Sequence, residues 1–174
     1  MDRFVSTFTN KLDTKGRVSI PAPFREVLAR DGYSGGQPTG PAGGGIYCYP
    51  ALDTPALDAG GESLASKIDA LLTGLSDYSD ERDQLSVALY GDVHILKIDG
   101  EGRIVLPEDL RIHAKLESDV TFVGLGQKFQ IWQPQGFEAF RAEARERARE
   151  HRRLFHGGDR SGGDEPKGGT GARE

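Results

Sequence analysis

Lys11-Leu-Asp-Thr-Lys-Gly-Arg-Val-Ser-Ile-Pro21 recurs further along the chain as Lys97-Ile-Asp-Gly-Glu-Gly-Arg-Ile-Val-Leu-Pro107. Asp13 corresponds to Asp99, Gly16 to Gly102, Arg17 to Arg103, Pro21 to Pro107 and Arg25 to Arg111, every pair 86 positions apart. Matching Asp, Gly and Pro at one fixed offset marks a duplicated structural unit, because these residues have restricted conformational roles. A looser echo sets Tyr47-Cys-Tyr-Pro50 against Ile131-Trp-Gln-Pro134, two positions out of step with the main offset.

Both copies read alike. Thr7 to Leu12 is a strand, with Phe8 and Leu12 expected inward and Asn10 outward. Asp13-Thr-Lys-Gly16 is turn chemistry, and Gly16 supplies a positive φ that a side chain would resist. Val18 to Ile20 resumes a strand as the second arm of a hairpin, with Arg17 at its entry. Pro21 and Pro23 then end the strand and open a helix over Phe24–Arg30, since proline is tolerated in a first helical turn. The second copy gives a strand at His94–Ile98, a turn at Asp99–Gly102, a strand at Arg103–Leu106 and a helix at Glu108–Leu116. Gly45–Pro50 is a further strand; Val120–Val123 and Phe129–Trp132 pair across Gly124-Leu-Gly-Gln-Lys128. Phe129, Ile131 and Trp132 read as core, not as a stacking platform for bases.

One such module is too small to bury a good core, so two related copies are expected to interlock as a pseudo-two-fold β-barrel of α+β class. The first module is placed at residues 4–52, a helical connector at 53–90, and the second module at 91–136. A Glu/Arg-rich C-terminal helix follows at 137–156, and residues 157–174 are too poor in apolar side chains to order. The connector carries two apolar stripes, Leu64, Ile68, Leu71 and Leu72, then Leu85, Val87, Ala88 and Leu89. Gly32–Gly45 reads as a mobile surface loop.

Charge is distributed unevenly. The chain totals −5, but residues 1–30 carry +3 and residues 31–90 carry −7. A basic N-terminal face on an acidic protein suits a polyanion partner bound modestly by each subunit and strongly by several. No apolar run is long enough for a membrane span, no secretory leader is visible at Met1-Asp2-Arg3-Phe4, and the single Cys48 suits a reducing compartment. A cytoplasmic protein without a membrane partner is therefore expected.

The signatures Asp13-Thr-Lys-Gly-Arg17 and Asp99-Gly-Glu-Gly-Arg103, with Val123-Gly-Leu-Gly-Gln-Lys-Phe-Gln-Ile-Trp132 near the end, resemble the MraZ family over roughly residues 4 to 145. The resemblance implies an AbrB-like swapped-hairpin barrel with two modules per chain, assembled into rings. It further implies a nucleoid-associated transcription regulator binding short repeated sites upstream of its own division and cell-wall operon, with repression the expected sign. The second turn departs from the first by placing Glu101 where the first has Lys15.

The residues expected to touch DNA are Arg17, Lys15, Thr14, Arg103, Lys11 and Arg3, led by Arg17 as a bidentate donor to guanine or phosphate. Arg25 is a further possible phosphate contact. Asp13, Gly16, Asp99 and Gly102 are assigned to shaping the turns. No active site is read: an arginine beside each repeated Asp keeps it ionised, which opposes a shared-proton carboxylate pair. Cys48, His113, His151 and His156 lack metal-ligand spacing, and no cofactor motif is present. The competing reading is a ring-forming assembly or scaffold protein with only weak DNA binding.

Overall fold

A computed structural model of the chain describes residues 3–32 and 45–157. The chain divides after Phe137 into two compact units.

The first unit is α+β. In chain order it contains β1 (Thr7–Lys11), β2 (Arg17–Ser19), α1 (Ala22–Asp31), β3 (Gly45–Pro50) and β4 (Leu57–Gly60). Then come α2 (Glu62–Thr73), α3 (Asp80–Ser86) and a π-helical turn (Val87–Gly91). The second copy contributes β5 (His94–Lys97), β6 (Arg103–Val105), α4 (Glu108–His113), β7 (Asp119–Gly124) and β8 (Phe129–Trp132). Six strands form one antiparallel sheet in the order β1-β7-β8-β4-β3-β5, and β2 pairs with β6 in a separate two-stranded ribbon.

The hairpin expected over residues 7–20 keeps its turn, closed by Asp13 N donating to Arg17 O at 3.0 Å, but its strands pair mainly between the copies. β1 lies against β7 and β2 against β6, while a bridge between Leu12, just past β1, and Val18 and a side-chain bond from Asn10 to Ser19 O link the two segments locally. A three-residue strand offers little ladder to a local neighbour. Pairing with its own duplicate sets Val18 opposite Ile104 and buries both to 1% exposure. The ribbon is closed reciprocally: Ile20 N donates to Gly102 O (2.9 Å) and Leu106 N to Gly16 O (2.8 Å).

Read from the other end, the sheet order exchanges β1 with β5, β7 with β3 and β8 with β4. The counterpart of β3 is therefore β7. The echo between Tyr47–Pro50 and Ile131–Pro134 joins β3 to β8, which are not equivalent positions. Asn10 is also corrected: it shares the side of β1 that carries Phe8 and Leu12, as a period of two requires. It is half-buried there, and its Nδ2 donates to Ser19 O at 2.7 Å.

The main core draws on both copies, with Phe4, Phe24, Phe122 and Phe129 all nearly inaccessible. Phe24 of α1 stands at its centre, with ring centroids 5.3 Å from Phe4, 5.5 Å from Phe8, 5.2 Å from Phe129 and 6.5 Å from Phe122. Burying one such ring stabilises the fold by roughly 2–3 kcal/mol. Trp132, Phe137, Val123, Ala51 and Ala56 make a smaller cluster.

The stretch read as wholly helical, 53–90, opens with β4, whose four residues are all buried between β3 and β8. Strand length explains the misreading: four residues give too little alternation to see. Beyond it, Leu64, Ile68, Leu72 and Leu89 pack with Tyr47 and Tyr49, whereas Leu71 and Val87 are exposed. Helix α1 begins two residues before Phe24, and α4 ends at His113, short of Leu116. Residues 33–44 of the Gly-rich loop and 158–174 of the tail lie outside the described residues.

In the second unit the described residues, 138–157, continue α5 (Pro134–Gly157). Its exposed surface carries Glu–Arg pairs at helical spacing: Glu143 with Arg147 (2.9 Å), Glu146 with Arg149 (3.5 Å) and Glu138 with Arg141 (3.9 Å). Solvated pairs of this kind each contribute at most about 0.5 kcal/mol.

Candidate nucleic-acid interface

Each turn is built around one carboxylate. In the first, Asp13 Oδ1 accepts from the backbone N–H groups of Lys15 (2.9 Å) and Arg17 (2.8 Å), while Oδ2 accepts from Arg17 Nε (2.7 Å). In the second, Asp99 Oδ1 accepts from Glu101 N and Arg103 N, both at 2.9 Å, and Oδ2 accepts from Arg103 Nε at 3.0 Å. The backbone N–H of the arginine, with the other bonds to the carboxylate, holds Asp13 and Asp99 below the usual carboxylate range. Gly16 and Gly102 complete the turns at φ +81° and +78°.

The turns feed the two strands of the ribbon, and alternation decides what those strands display. Val18 and Ile104 point into the core; Arg17, Ser19, Arg103 and Val105 take the opposite face, where Ser19 and Val105 are exposed and the arginines half-exposed. Arg17 is in register with Val105 and Arg103 with Ser19. The two arginines are thus diagonal neighbours on an outward face, with backbones roughly 7–8 Å apart.

Their guanidinium groups differ in what remains unused. Arg17 spends Nε on Asp13 and has no acid within ion-pair distance of its terminal nitrogens among the described residues. Arg103 spends Nε on Asp99 and Nη2 on Glu101 Oε2 at 3.1 Å. Thr14 and Lys15 are exposed at the tip of the first turn. Lys11, two residues before Asp13, is exposed and stands in register with Asp119 of β7. Arg3 is exposed but lies beyond the other end of β1, beside the Phe4–Gly126 bridge, and does not join this group.

Two arginines cross between the copies. Arg25 of α1 lies over Gly102, where a Cβ would meet its Nη1 at 2.0 Å, and Nη1 donates to Glu101 O at 3.3 Å. Arg111 of α4 lies over Gly16, its Cζ 3.3 Å from where a Cβ would stand, with Nε buried and unpartnered among the described residues. Arg25, expected as a phosphate contact, is thereby placed against the opposite turn. The repeat showed that Arg25 and Arg111 correspond, but not that each reaches across to the other copy. The outward placement of Ser19 and Val105 was also missed, although alternation from Arg17 carries that signal.

Residues 89–156 match the family model described as "MraZ protein, putative antitoxin-like". The chain is similar over most of its length to several proteins named transcriptional regulator MraZ. That of Azorhizobium caulinodans is 52% identical over 158 residues, covering 91% of this chain and 94% of that protein. That of Methylocella silvestris is 54% identical across 88% of this chain and 87% of its own length. That of Rickettsia bellii is 39% identical across 87% and 95%.

Proposed function

The chain belongs to the MraZ family, and from that premise we propose that it is a sequence-specific DNA-binding transcription regulator acting as a homo-oligomeric ring. The observation that carries the reading is the outward face of the β2–β6 ribbon, where Arg17 keeps its terminal nitrogens for a ligand. A two-stranded ribbon has the dimensions to enter a major groove, and an arginine held at Nε presents its remaining donors in a fixed plane suited to guanine O6/N7 or to phosphate. Lys15 and Thr14 contact the backbone beside it, Lys11 adds a weaker phosphate contact, and Arg103 is a secondary member of the group. Arg3, at the other end of β1, contacts a separate stretch of the duplex.

The two modules, residues 4–52 and 91–136, interlock as a pseudo-two-fold AbrB-like barrel, and the reciprocal pairing of β2 with β6 supports that description. One chain neutralises few phosphates. Several chains in a ring engage successive direct repeats upstream of the chain's own division and cell-wall operon, and repress it by obstructing polymerase. The protein then works in the cytoplasm, at the nucleoid. No helix among the described residues is long and apolar enough to cross a membrane.

The test is binding of the purified full chain to DNA from upstream of its own gene, across a salt series, beside an unrelated fragment of equal length. Selective binding that weakens steeply with salt supports the reading. Equal weak binding to both fragments, or none, overturns it.

A further inference from the structure

We infer that Glu101 is a specificity-determining residue: its carboxylate occupies Arg103, silences the second turn toward DNA, and so makes each chain read the duplex through one end of the ribbon. The inference rests on the DNA-binding reading above and concerns the polarity of that same site.

The two turns share the Asp-centred hydrogen bonds, the positive-φ glycine and the arginine fixed through Nε. The second turn is therefore already shaped to present a guanidinium. The equivalent positions Lys15 and Glu101 differ by two units of charge, which gives residues 13–17 a net +1 and residues 99–103 a net −1. Glu101 Oε2 lies 3.1 Å from Arg103 Nη2, one of the terminal nitrogens that a phosphate or guanine would use. This pair is solvent-exposed, with 72% of the Glu101 side chain accessible, so it contributes little to stability. Its effect falls on a ligand: only Nη1 of Arg103 is left without an acid partner among the described residues, so an incoming phosphate or guanine meets a neighbouring carboxylate and must displace it to make a two-point contact.

Beyond its exposed pair with Arg103, the Glu101 side chain makes no hydrogen bond or ion pair among the described residues. Asp99 receives the backbone N–H of Glu101, and Arg25 donates to its backbone carbonyl, so both bonds survive a change of side chain. Replacing the carboxylate thus exposes Arg103 while leaving the turn intact. The consequence is directional. A pseudo-symmetric ribbon with two open ends would read a half-site equally in either orientation, whereas one with a single open end fixes each chain's direction along the duplex. Chains repeated in one direction then suit repeats arranged in one direction.

The experiment measures binding of full-length wild type, Glu101→Gln, Glu101→Lys, Arg103→Ala and the double variant Glu101→Lys/Arg103→Ala. The probes are duplexes from upstream of the chain's own gene with repeats left in place or with alternate repeats inverted, each across a salt series. Melting temperatures confirm folding, and Glu101→Gln, which is nearly isosteric, guards against any distortion by lysine. Expected results are roughly tenfold tighter binding for Glu101→Lys, the gain appropriate to one added arginine contact, and a salt slope steeper by about one to two per bound chain. The preference for unidirectional repeats should shrink, with Glu101→Gln intermediate, and Arg103→Ala alone should lose far less affinity than Arg17→Ala. The double variant should lose most of the gain. Unchanged affinity, slope and orientation preference in both Glu101 variants would overturn the inference alone, as would an Arg103→Ala loss equal to that of Arg17→Ala. A folded wild type that does not select its own upstream DNA overturns the DNA-binding reading, and this inference with it.

Discussion

The two copies hold the same backbone device in different chemical surroundings. The first places Phe24 where the second places Leu110, and Lys15 where the second places Glu101. One difference points inward and the other outward. Phe24 gathers four other phenylalanine rings around itself, whereas Leu110 fills its site with an aliphatic group that is equally buried. At the surface, the first copy leaves Arg17 able to engage a ligand and the second ties up Arg103. Duplication conserves what shapes the chain, namely Asp, Gly, Arg and Pro, and leaves the packing and charge around that shape to diverge.

The largest expected effect tests the inward difference. Phe24→Ala should destabilise the chain by roughly 3–5 kcal/mol, because it removes the shared partner of an aromatic cluster that cannot collapse around the gap. Leu110→Ala should cost about 2–4 kcal/mol. Chemical denaturation of both variants decides whether the core is centred on the first copy; a larger loss for Leu110 would reverse that ranking. The outward difference is tested next. Arg17→Ala should lose roughly 1–3 kcal/mol of binding to upstream DNA per contact, with little change in melting temperature. Arg103→Ala should lose far less. A folded Arg17→Ala variant that binds like wild type removes the first turn from the interface.

A smaller effect separates the glycines. Both have positive φ, so alanine is strained at either by on the order of 1 kcal/mol. At Gly16 the new Cβ also meets the carbonyl oxygen of Leu106 at 2.9 Å, and that oxygen belongs to backbone fixed by the ribbon. At Gly102 the three nearest atoms all belong to the Arg25 side chain, Nη1 at 2.0 Å, Cδ at 2.6 Å and Cζ at 2.9 Å, and a side chain can move where backbone cannot. Gly16→Ala should therefore lower the melting temperature more than Gly102→Ala, and Gly102→Ala should be partly relieved by Arg25→Ala.

The duplication was legible because turns constrain residue identity: Asp13, Gly16, Arg17 and Pro21 mark the same corner as Asp99, Gly102, Arg103 and Pro107. Most strands and helices followed from alternation and from proline placement. Strand partners did not. That Val18 pairs with Ile104 as well as bridging Leu12, six residues back, depends on how much apolar surface the distant pairing buries, which requires the assembled core. β4 was hidden for a related reason, since Leu57-Asp-Ala-Gly60 is buried on both faces and shows no alternation. At the candidate interface, Arg17 and Lys15 stood out by residue type. The crossing of Arg25 and Arg111 onto the opposite turns did not, because each contact joins residues remote in sequence.

The smallest effect concerns pH, and both turns should show it. Asp13 and Asp99 are held below their ordinary pKa of 3.8, chiefly by the backbone N–H groups of Arg17 and Arg103. A carboxyl whose folded pKa is depressed contributes stability that is fully present above its unfolded pKa and is lost as pH falls through the lower folded value. The turns should therefore hold unchanged from neutrality to about pH 5, and weaken below roughly pH 4. Amide exchange at Arg17 and Arg103 reads this directly, since each amide donates to the titrating oxygen. Asp13→Asn should abolish the acid-dependent loss at Arg17 and leave that at Arg103 intact. Because Arg17 Nε is bonded to Asp13 at 2.7 Å against 3.0 Å for the second pair, the first turn should persist to slightly lower pH. If the second turn persists longer, Glu101 contributes to that turn's stability as well as to its charge, and the two copies differ in framework as well as in surface.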